Sequence, residues 1–176
     1  MNKNKIIFIL ISLSTLTASL EFDSFKLGNS ESLGAFGLVS LDFKISNLST
    51  ENDIFYFTIG SFPLPIFGGT GLTYKKYFNN IKIDPVTDAY FKPYVSTTLF
   101  SYYALAFASS SNSSVVNGLM TTLGFGADFP VLKTKKIALN LQTGIYTQFN
   151  ISEMEVFESP SDQPEIWPTI NIKISK

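Results

Sequence analysis

From Ile137 to Ile151 the chain alternates between two kinds of side chain. The odd positions are apolar or Thr: Ile137, Leu139, Leu141, Thr143, Ile145, Thr147, Phe149 and Ile151. The even positions are small, amide-bearing or Tyr: Ala138, Asn140, Gln142, Gly144, Tyr146, Gln148 and Asn150. Successive side chains of a β-strand point to opposite faces. The pattern therefore predicts that Lys135–Ile151 is one long strand with two chemically different faces.

The length of this strand and the missing charge on its polar face favour a membrane barrel. Strands of soluble proteins usually have about 5–6 residues, whereas a tilted strand that crosses a bilayer needs about 9–11. Charged residues make up 15% of the chain, against roughly 25% in soluble domains. We expect the polar face to line a packed lumen and the aliphatic face to contact lipid. The alternative is a water-exposed polar face over an apolar core.

Similar alternation recurs along the chain after residue 19. The eight candidate strands are Leu20–Leu27, Leu33–Ile45, Ile54–Phe62, Ile66–Phe78, Phe91–Phe107, Val116–Phe129, Lys135–Ile151 and Ile166–Ile174. Phe91–Phe107 is expected to be the longest of them. A short turn is predicted at Pro130–Thr134, and loops at Ser109–Ser114 and Ser152–Glu165. No segment after residue 20 shows helical periodicity. The prediction is an all-β domain over residues 20–176, an eight-stranded antiparallel up-and-down transmembrane barrel.

Residues 1–19 have the pattern of a signal peptide. A short basic stretch, Asn2–Lys5, precedes the apolar run Ile6–Leu13, and small residues follow up to Ser19. The apolar run is too short to cross a bilayer as a helix. We therefore expect an exported protein with a mature chain that begins near residue 20.

The charges within the better strands fall on the non-aliphatic phase: Asp42, Lys44, Lys92, Asp128, Lys136 and Lys173. Lysine facing lipid at mid-membrane costs about 2–4 kcal/mol, so a membrane barrel should exclude charge from its outer face. A soluble sandwich also keeps charge off its core face. Two interpretations fit Asp42, Lys44, Lys92 and Asp128: a salt-bridge network in the lumen, or solvated or ion-paired carboxylates at strand ends.

Four aromatic residues have two interpretations. Tyr77, Phe78, Tyr94 and Trp167 could be anchors at a membrane–water boundary, where aromatic side chains are enriched, or core residues.

Composition excludes several kinds of function. The chain has no His and no Cys, which removes the commonest general base, the commonest metal ligands and a thiol nucleophile. We therefore expect no enzyme activity, catalytic residue, cofactor or metal. The formal net charge of −1 gives no reason to expect nucleic acid as a partner.

Three stretches resemble small bacterial outer-membrane β-barrels of the OmpA transmembrane-domain and OmpX type: Gly124–Pro130, Lys92–Val95 and the alternating terminal strand Pro168–Ile174. The chain departs from these proteins at its end, Ile174-Ser175-Lys176, where they usually carry an aromatic residue. The resemblance implies an outer-membrane location, with membrane lipid and the outer-membrane assembly machinery as partners.

Because eight strands leave a lumen that side chains just fill, we expect a structural, adhesive or surface-exposed role rather than a wide pore. The alternative is a soluble secreted or periplasmic barrel, lipocalin-like, whose aliphatic phase faces inward around a hydrophobic ligand. A lipid-hydrolysing barrel is disfavoured by the absence of His.

Overall fold

The computed structural model describes residues 20–33, 38–61, 67–84, 89–107, 113–151 and 165–175. The strands in this part of the chain are β1 (Leu20–Asn29), β2 (Val39–Ile45), β3 (Asp53–Ser61), β4 (Phe67–Tyr77), β5 (Ile81–Asp84), β6 (Ala89–Phe107), β7 (Ser113–Lys133), β8 (Ala138–Asn150) and β9 (Glu165–Ser175). A single 3-10 turn, Ser46–Leu48, is the helical element of the described residues. None of the described residues forms a helix long and apolar enough to cross a bilayer. The predicted signal peptide lies outside the described residues.

Eight of the strands form a closed antiparallel barrel. The order around the barrel is β4-β3-β2-β1-β9-β8-β7-β6, and β6 pairs with β4 to complete the ring. The first and last strands are neighbours, with Leu27 opposite Ile172. The first residues of β6 project beyond the ring, and there they pair with the short strand β5. The predicted fold class, an eight-stranded antiparallel barrel, is confirmed.

The barrel has two different ends, which we call the base and the crown. The base holds the start of β1, the end of β9, the β2–β3 turn, the β5 extension and the β7–β8 turn. At the β7–β8 turn the Thr134 hydroxyl accepts hydrogen bonds from the backbone N–H groups of Lys136 (3.3 Å) and Ile137 (3.0 Å). The crown holds the β1–β2, β3–β4, β6–β7 and β8–β9 connections. Most residues of those connections, 152–164 included, lie outside the described part of the chain.

The alternating faces lie as predicted. In β8 the even positions point into the lumen, and Gln142 and Tyr146 are fully buried there. The odd positions point outward, and Ile145 and Phe149 are exposed. The prediction of one strand from this alternation is confirmed, although Lys135–Ile137 belong to the turn rather than to β8.

Two predicted strand boundaries and the expected longest strand are wrong. The segment Leu33–Ile45 alternates throughout, but β2 begins only at Val39 and Leu33 is buried inside the barrel. Pro130 does not turn the chain; β7 continues to Lys133 through a bulge between Pro130 and Leu132, where a missing N–H is tolerated. As a result β7, with 21 residues, is longer than β6, with 19.

Candidate functional site: a charged lumen inside an apolar belt

The inside of the barrel is polar and tightly packed. Its buried polar side chains come from all eight ring strands: Ser24, Lys26, Ser40, Asp42, Thr58, Thr73, Lys75, Ser96, Thr98, Thr122, Asp128, Gln142, Thr169, Asn171 and Lys173. Some of them form hydrogen bonds between adjacent strands, such as the 2.9 Å bond between the hydroxyls of Thr73 on β4 and Thr98 on β6. The interior therefore has the polarity that the surface of a soluble protein would have.

One buried ion pair joins β1 and β2. The Lys26 ammonium lies 2.7 Å from the Asp42 carboxylate, and neither side chain is accessible to solvent. The hydroxyl of Thr58 on β3 donates a 2.7 Å hydrogen bond to the same carboxylate. These contacts follow from register, because Asp42 lies opposite Ser24 on one side and opposite Thr58 on the other. Both charges are thus compensated, as burial requires.

A short loop from the crown fills the upper lumen. We call residues 30–33 the inserted loop; all four side chains are about 1% exposed. Glu31 forms a 2.6 Å ion pair with Lys75 of β4. Its backbone carbonyl accepts a 2.8 Å hydrogen bond from Thr122 of β7, and its carboxylate a 3.3 Å bond from Thr169 of β9. The inserted loop is therefore held by three strands on different sides of the ring.

The surroundings of Glu31 favour its charged form. Burial is the largest single influence and alone would raise the pKa of this carboxyl. The charges of Lys75 and Lys26, together with the hydrogen bonds that Glu31 accepts from Lys75 and the backbone, outweigh burial and lower the pKa from 4.5 to about 2. Beside Glu31, Leu33 packs with Phe100, Tyr102 and Met120 in a buried apolar cluster. Charge pairing and apolar contact together close this part of the lumen.

A second group of polar contacts lies in the lower lumen, toward the base. The Asp128 carboxylate accepts hydrogen bonds from the Tyr77 hydroxyl (3.0 Å) and the Gln142 amide (2.6 Å). Lys173 forms a 2.8 Å ion pair with Asp23, which is partly exposed at this end of the barrel. The lumen is thus crossed by bonded side chains at both levels.

The four charges for which a lumen network is one interpretation all lie on the inward phase. Asp42 and Asp128 are buried, and Lys44 and Lys92 are half-buried. Within the described residues, however, none of the four pairs with another. Asp42 pairs with Lys26, and the Lys92 ammonium lies 4.8 Å from the centre of the Tyr77 ring.

Sequence reasoning missed three charged residues of the lumen: Lys26, Glu31 and Lys75. It placed Lys173 on the inward phase but did not predict its ion pair with Asp23. Lys75 shares the inward phase of β4 with Thr73. The alternation of β4 could have predicted that Lys75 faces the lumen. Glu31 gave no such signal, because it follows a strand and belongs to no alternating segment.

Two of the predicted boundary aromatics are lumen residues. Tyr77 and Tyr94 are buried inside the barrel, with ring centres 5.6 Å apart. Both share a phase with inward residues of their strands, so they cannot reach the outer surface. Phe78 is exposed at the base, and Trp167 is half-buried opposite Tyr146 on the inward phase of β9.

Other aromatic residues form a girdle on the outer face near the base. It consists of three pairs, each joining directly opposed positions of adjacent strands. The ring centres are 6.0 Å apart in Phe22–Phe43, 4.9 Å in Phe55–Tyr74 and 5.4 Å in Phe91–Phe129. Cross-strand aromatic pairs stabilise a sheet, and girdles of this kind flank the apolar band of membrane barrels.

Above the girdle the outer face is mainly apolar around the ring, with a few Thr and Ser residues. We call this surface the apolar belt; its exposed members include Leu27, Leu41, Ile59, Leu72, Leu99, Leu123, Phe125, Ile145, Ile170 and Ile172. They come from all eight strands of the ring. The belt is continuous because each strand presents its aliphatic phase to the same side.

These features define a class: a closed eight-stranded antiparallel β-barrel with a filled, charged lumen and an apolar outer surface. Comparison of the chain with protein families, with curated proteins and with solved structures gave no match.

Proposed function

We propose that this chain is an exported outer-membrane β-barrel protein with a structural, adhesive or other surface role. One observation carries the proposal: buried ion pairs inside the ring and an apolar belt outside it. Monomeric soluble proteins rarely expose contiguous apolar patches above a few hundred Å². In hydrocarbon the same surface is favourable, and a closed ring satisfies the backbone hydrogen bonds that lipid cannot.

The height of the belt supports a bilayer as its surroundings. On β7 the outward residues run from Leu119 to Phe129 of the girdle. At about 3.3 Å per residue and a tilt near 45°, this stretch rises about 23 Å along the barrel axis. Outer-membrane barrels have an apolar band about 25 Å tall.

The two ends and the lumen give the proposal its orientation and its limits. Membrane barrels place short turns in the periplasm and longer loops outside. The base, with the Thr134 turn and both chain ends of the ring, is assigned to the periplasm, and the crown to the exterior. The inserted loop and the buried ion pairs occupy the lumen, which argues against a wide pore.

A lipocalin-like soluble barrel is the competing hypothesis. It requires the aliphatic phase to line an internal ligand pocket. The described residues have the opposite arrangement, since Ile145 and Leu123 are exposed and Gln142 and Asp42 are buried. This polarity favours the membrane barrel.

Fractionation and gel mobility test the location. The protein should stay in carbonate-washed outer membrane, and it should migrate differently on a denaturing gel when it has not been boiled. A single unshifted band in the soluble fraction would refute the proposal and revive the lipocalin-like barrel.

A matched pair of leucines tests the lipid contact directly. Leu123 in the middle of the belt is 53% exposed, and Leu48 in the β2–β3 turn at the base is 51% exposed. In lipid vesicles, Leu123→Lys should lower the free energy of unfolding by about 2–4 kcal/mol, and Leu48→Lys by less than about 1 kcal/mol. Equal small effects would contradict a lipid-facing belt, because water treats both sites alike.

A further inference from the structure

The apolar belt contains a depression on one side of the barrel. It has a volume of about 530 Å³ and crosses β6, β7, β8 and β9 on their outer face. Its floor includes Ala127 and Thr143, which lie directly opposite each other in the sheet. Phe91, Phe125, Ile145 and Ile170 form its walls. Small residues between large ones thus leave a groove that opens toward the surroundings of the barrel.

Three lysines lie at the base of the same hairpin. Lys133, Lys135 and Lys136 are exposed in and beside the β7–β8 turn. Within the described residues none of them forms an ion pair, whereas the exposed Lys76 at the same end of the barrel pairs with Asp53 at 3.4 Å. The turn therefore presents uncompensated positive charge. We call these three residues the basic turn.

The groove and the basic turn are spaced as the two parts of one lipid would be. Phe129, which stacks on the groove residue Phe91, precedes Lys133 by four positions, or about 13 Å along the strand. The groove lies at the depth of acyl chains, and the basic turn lies where the belt ends and headgroups begin. A phosphate there would face three ammonium groups.

We propose that the groove and the basic turn together bind an anionic phospholipid, with one acyl chain in the groove and the phosphate at Lys133, Lys135 and Lys136. The inference rests on the proposed membrane location. The main support for it is charge complementarity: the lysines of the basic turn lie at the end of an apolar groove, where the phosphate of a lipid bound in that groove would be. Each lysine near an anionic lipid surface contributes a factor of about five in affinity.

Fluorescence quenching by brominated lipids tests the site. Phe91→Trp places an indole in the groove wall, in a Trp167→Phe background that removes the single native Trp. The protein is reconstituted in phosphatidylcholine vesicles that contain a small, equal fraction of brominated phosphatidylglycerol or brominated phosphatidylcholine. Gel mobility of unboiled samples checks that each variant folds. If Phe91→Trp does not fold, Phe129→Trp replaces it as the fluorescent reporter.

The expected result is an effective local enrichment of phosphatidylglycerol over phosphatidylcholine of at least about fivefold. Replacing all three lysines with Gln should abolish this preference. Thr143→Phe, which fills the groove, should reduce it, whereas Thr70→Phe on the outer face of β4 should leave it unchanged.

Equal quenching by the two brominated lipids would refute the lipid site while leaving the membrane barrel intact. A preference that survives the triple Lys→Gln change would also refute it. Absence of quenching by vesicles made wholly of brominated phosphatidylcholine would instead refute the membrane location.

Discussion

Replacing Glu31 with Gln should destabilise the barrel because it leaves the Lys75 ammonium buried without its partner. Both side chains are 1% exposed and 2.6 Å apart. The pKa of Glu31 falls from 4.5 to about 2 on folding, which corresponds to about 3 kcal/mol of stabilisation. Removing one member of a buried pair generally costs about 3–5 kcal/mol. We therefore expect Glu31→Gln to lower the free energy of unfolding by about 3 kcal/mol.

A double-mutant cycle separates the ion pair from other effects of the substitution. Lys75→Met should also destabilise, because it leaves the Glu31 carboxylate unpaired. The double variant should cost much less than the sum of the two single changes, since it contains no unpaired buried charge. The stability of the three variants is measured by urea unfolding in lipid vesicles, and the folded fraction is monitored by the gel mobility of unboiled protein. Lys76→Gln is the control, because Lys76 pairs with Asp53 at an exposed site, where solvent screens the interaction and an ion pair contributes little to stability.

The result that would refute this reasoning is a cost for Glu31→Gln no larger than that of Lys76→Gln. Residue 31 would then not be held in the lumen by Lys75, and the inserted loop would not close the upper barrel. Additive single costs would show that the two residues act independently.

Two further predictions concern the same part of the lumen. Because the pKa of Glu31 is lowered on folding, its contribution should be complete above about pH 4.5 and lost as the pH falls toward 2. Urea titrations at several pH values should therefore show a larger loss of stability in acid for the parent chain than for Glu31→Gln, in which the other carboxylates still titrate. Gly124→Ala should cost about 1–3 kcal/mol, because the new Cβ would lie 2.6 Å from the Ser96 hydroxyl and 3.3 Å from the Glu31 Cβ. Adding Ser96→Gly should restore part of that loss, and an unchanged or increased loss would show that Ser96 is not the obstacle.

The sequence was sufficient to predict the ring because its period-two pattern depends on the two faces of each strand and not on partner strands. The alternation from Ile137 to Phe149 identifies β8, and each of its inward positions is polar, small or Tyr. The same alternation in β2 and β7 predicted that Asp42 and Asp128 face the lumen. Their partners could not be predicted in this way: the pair Lys26–Asp42 depends on the register of β1 against β2, which includes a bulge between Phe22 and Ser24.

The inserted loop is the largest departure from prediction, because alternation extends from Leu33 through residues that precede β2. A different sequence signal bears on it. An eight-stranded barrel is just filled by its inward side chains, so inward glycines leave volume that something else must occupy. Among the inward glycines of the described residues, three lie against the inserted loop: Gly60 on β3, Gly71 on β4 and Gly124 on β7.

Each of these glycines faces one residue of the inserted loop. A Cβ at Gly60 would clash with the Leu33 side chain, one at Gly71 would lie 2.7 Å from the Ser32 carbonyl oxygen, and one at Gly124 would lie 3.3 Å from the Glu31 Cβ. The missing side chains of the wall are thus replaced by consecutive residues of the β1–β2 connection. The Glu31–Lys75 pair then fixes the loop in that space. Glycines on the inward phase of several strands therefore predict, in a small barrel, that a segment of the chain enters the lumen.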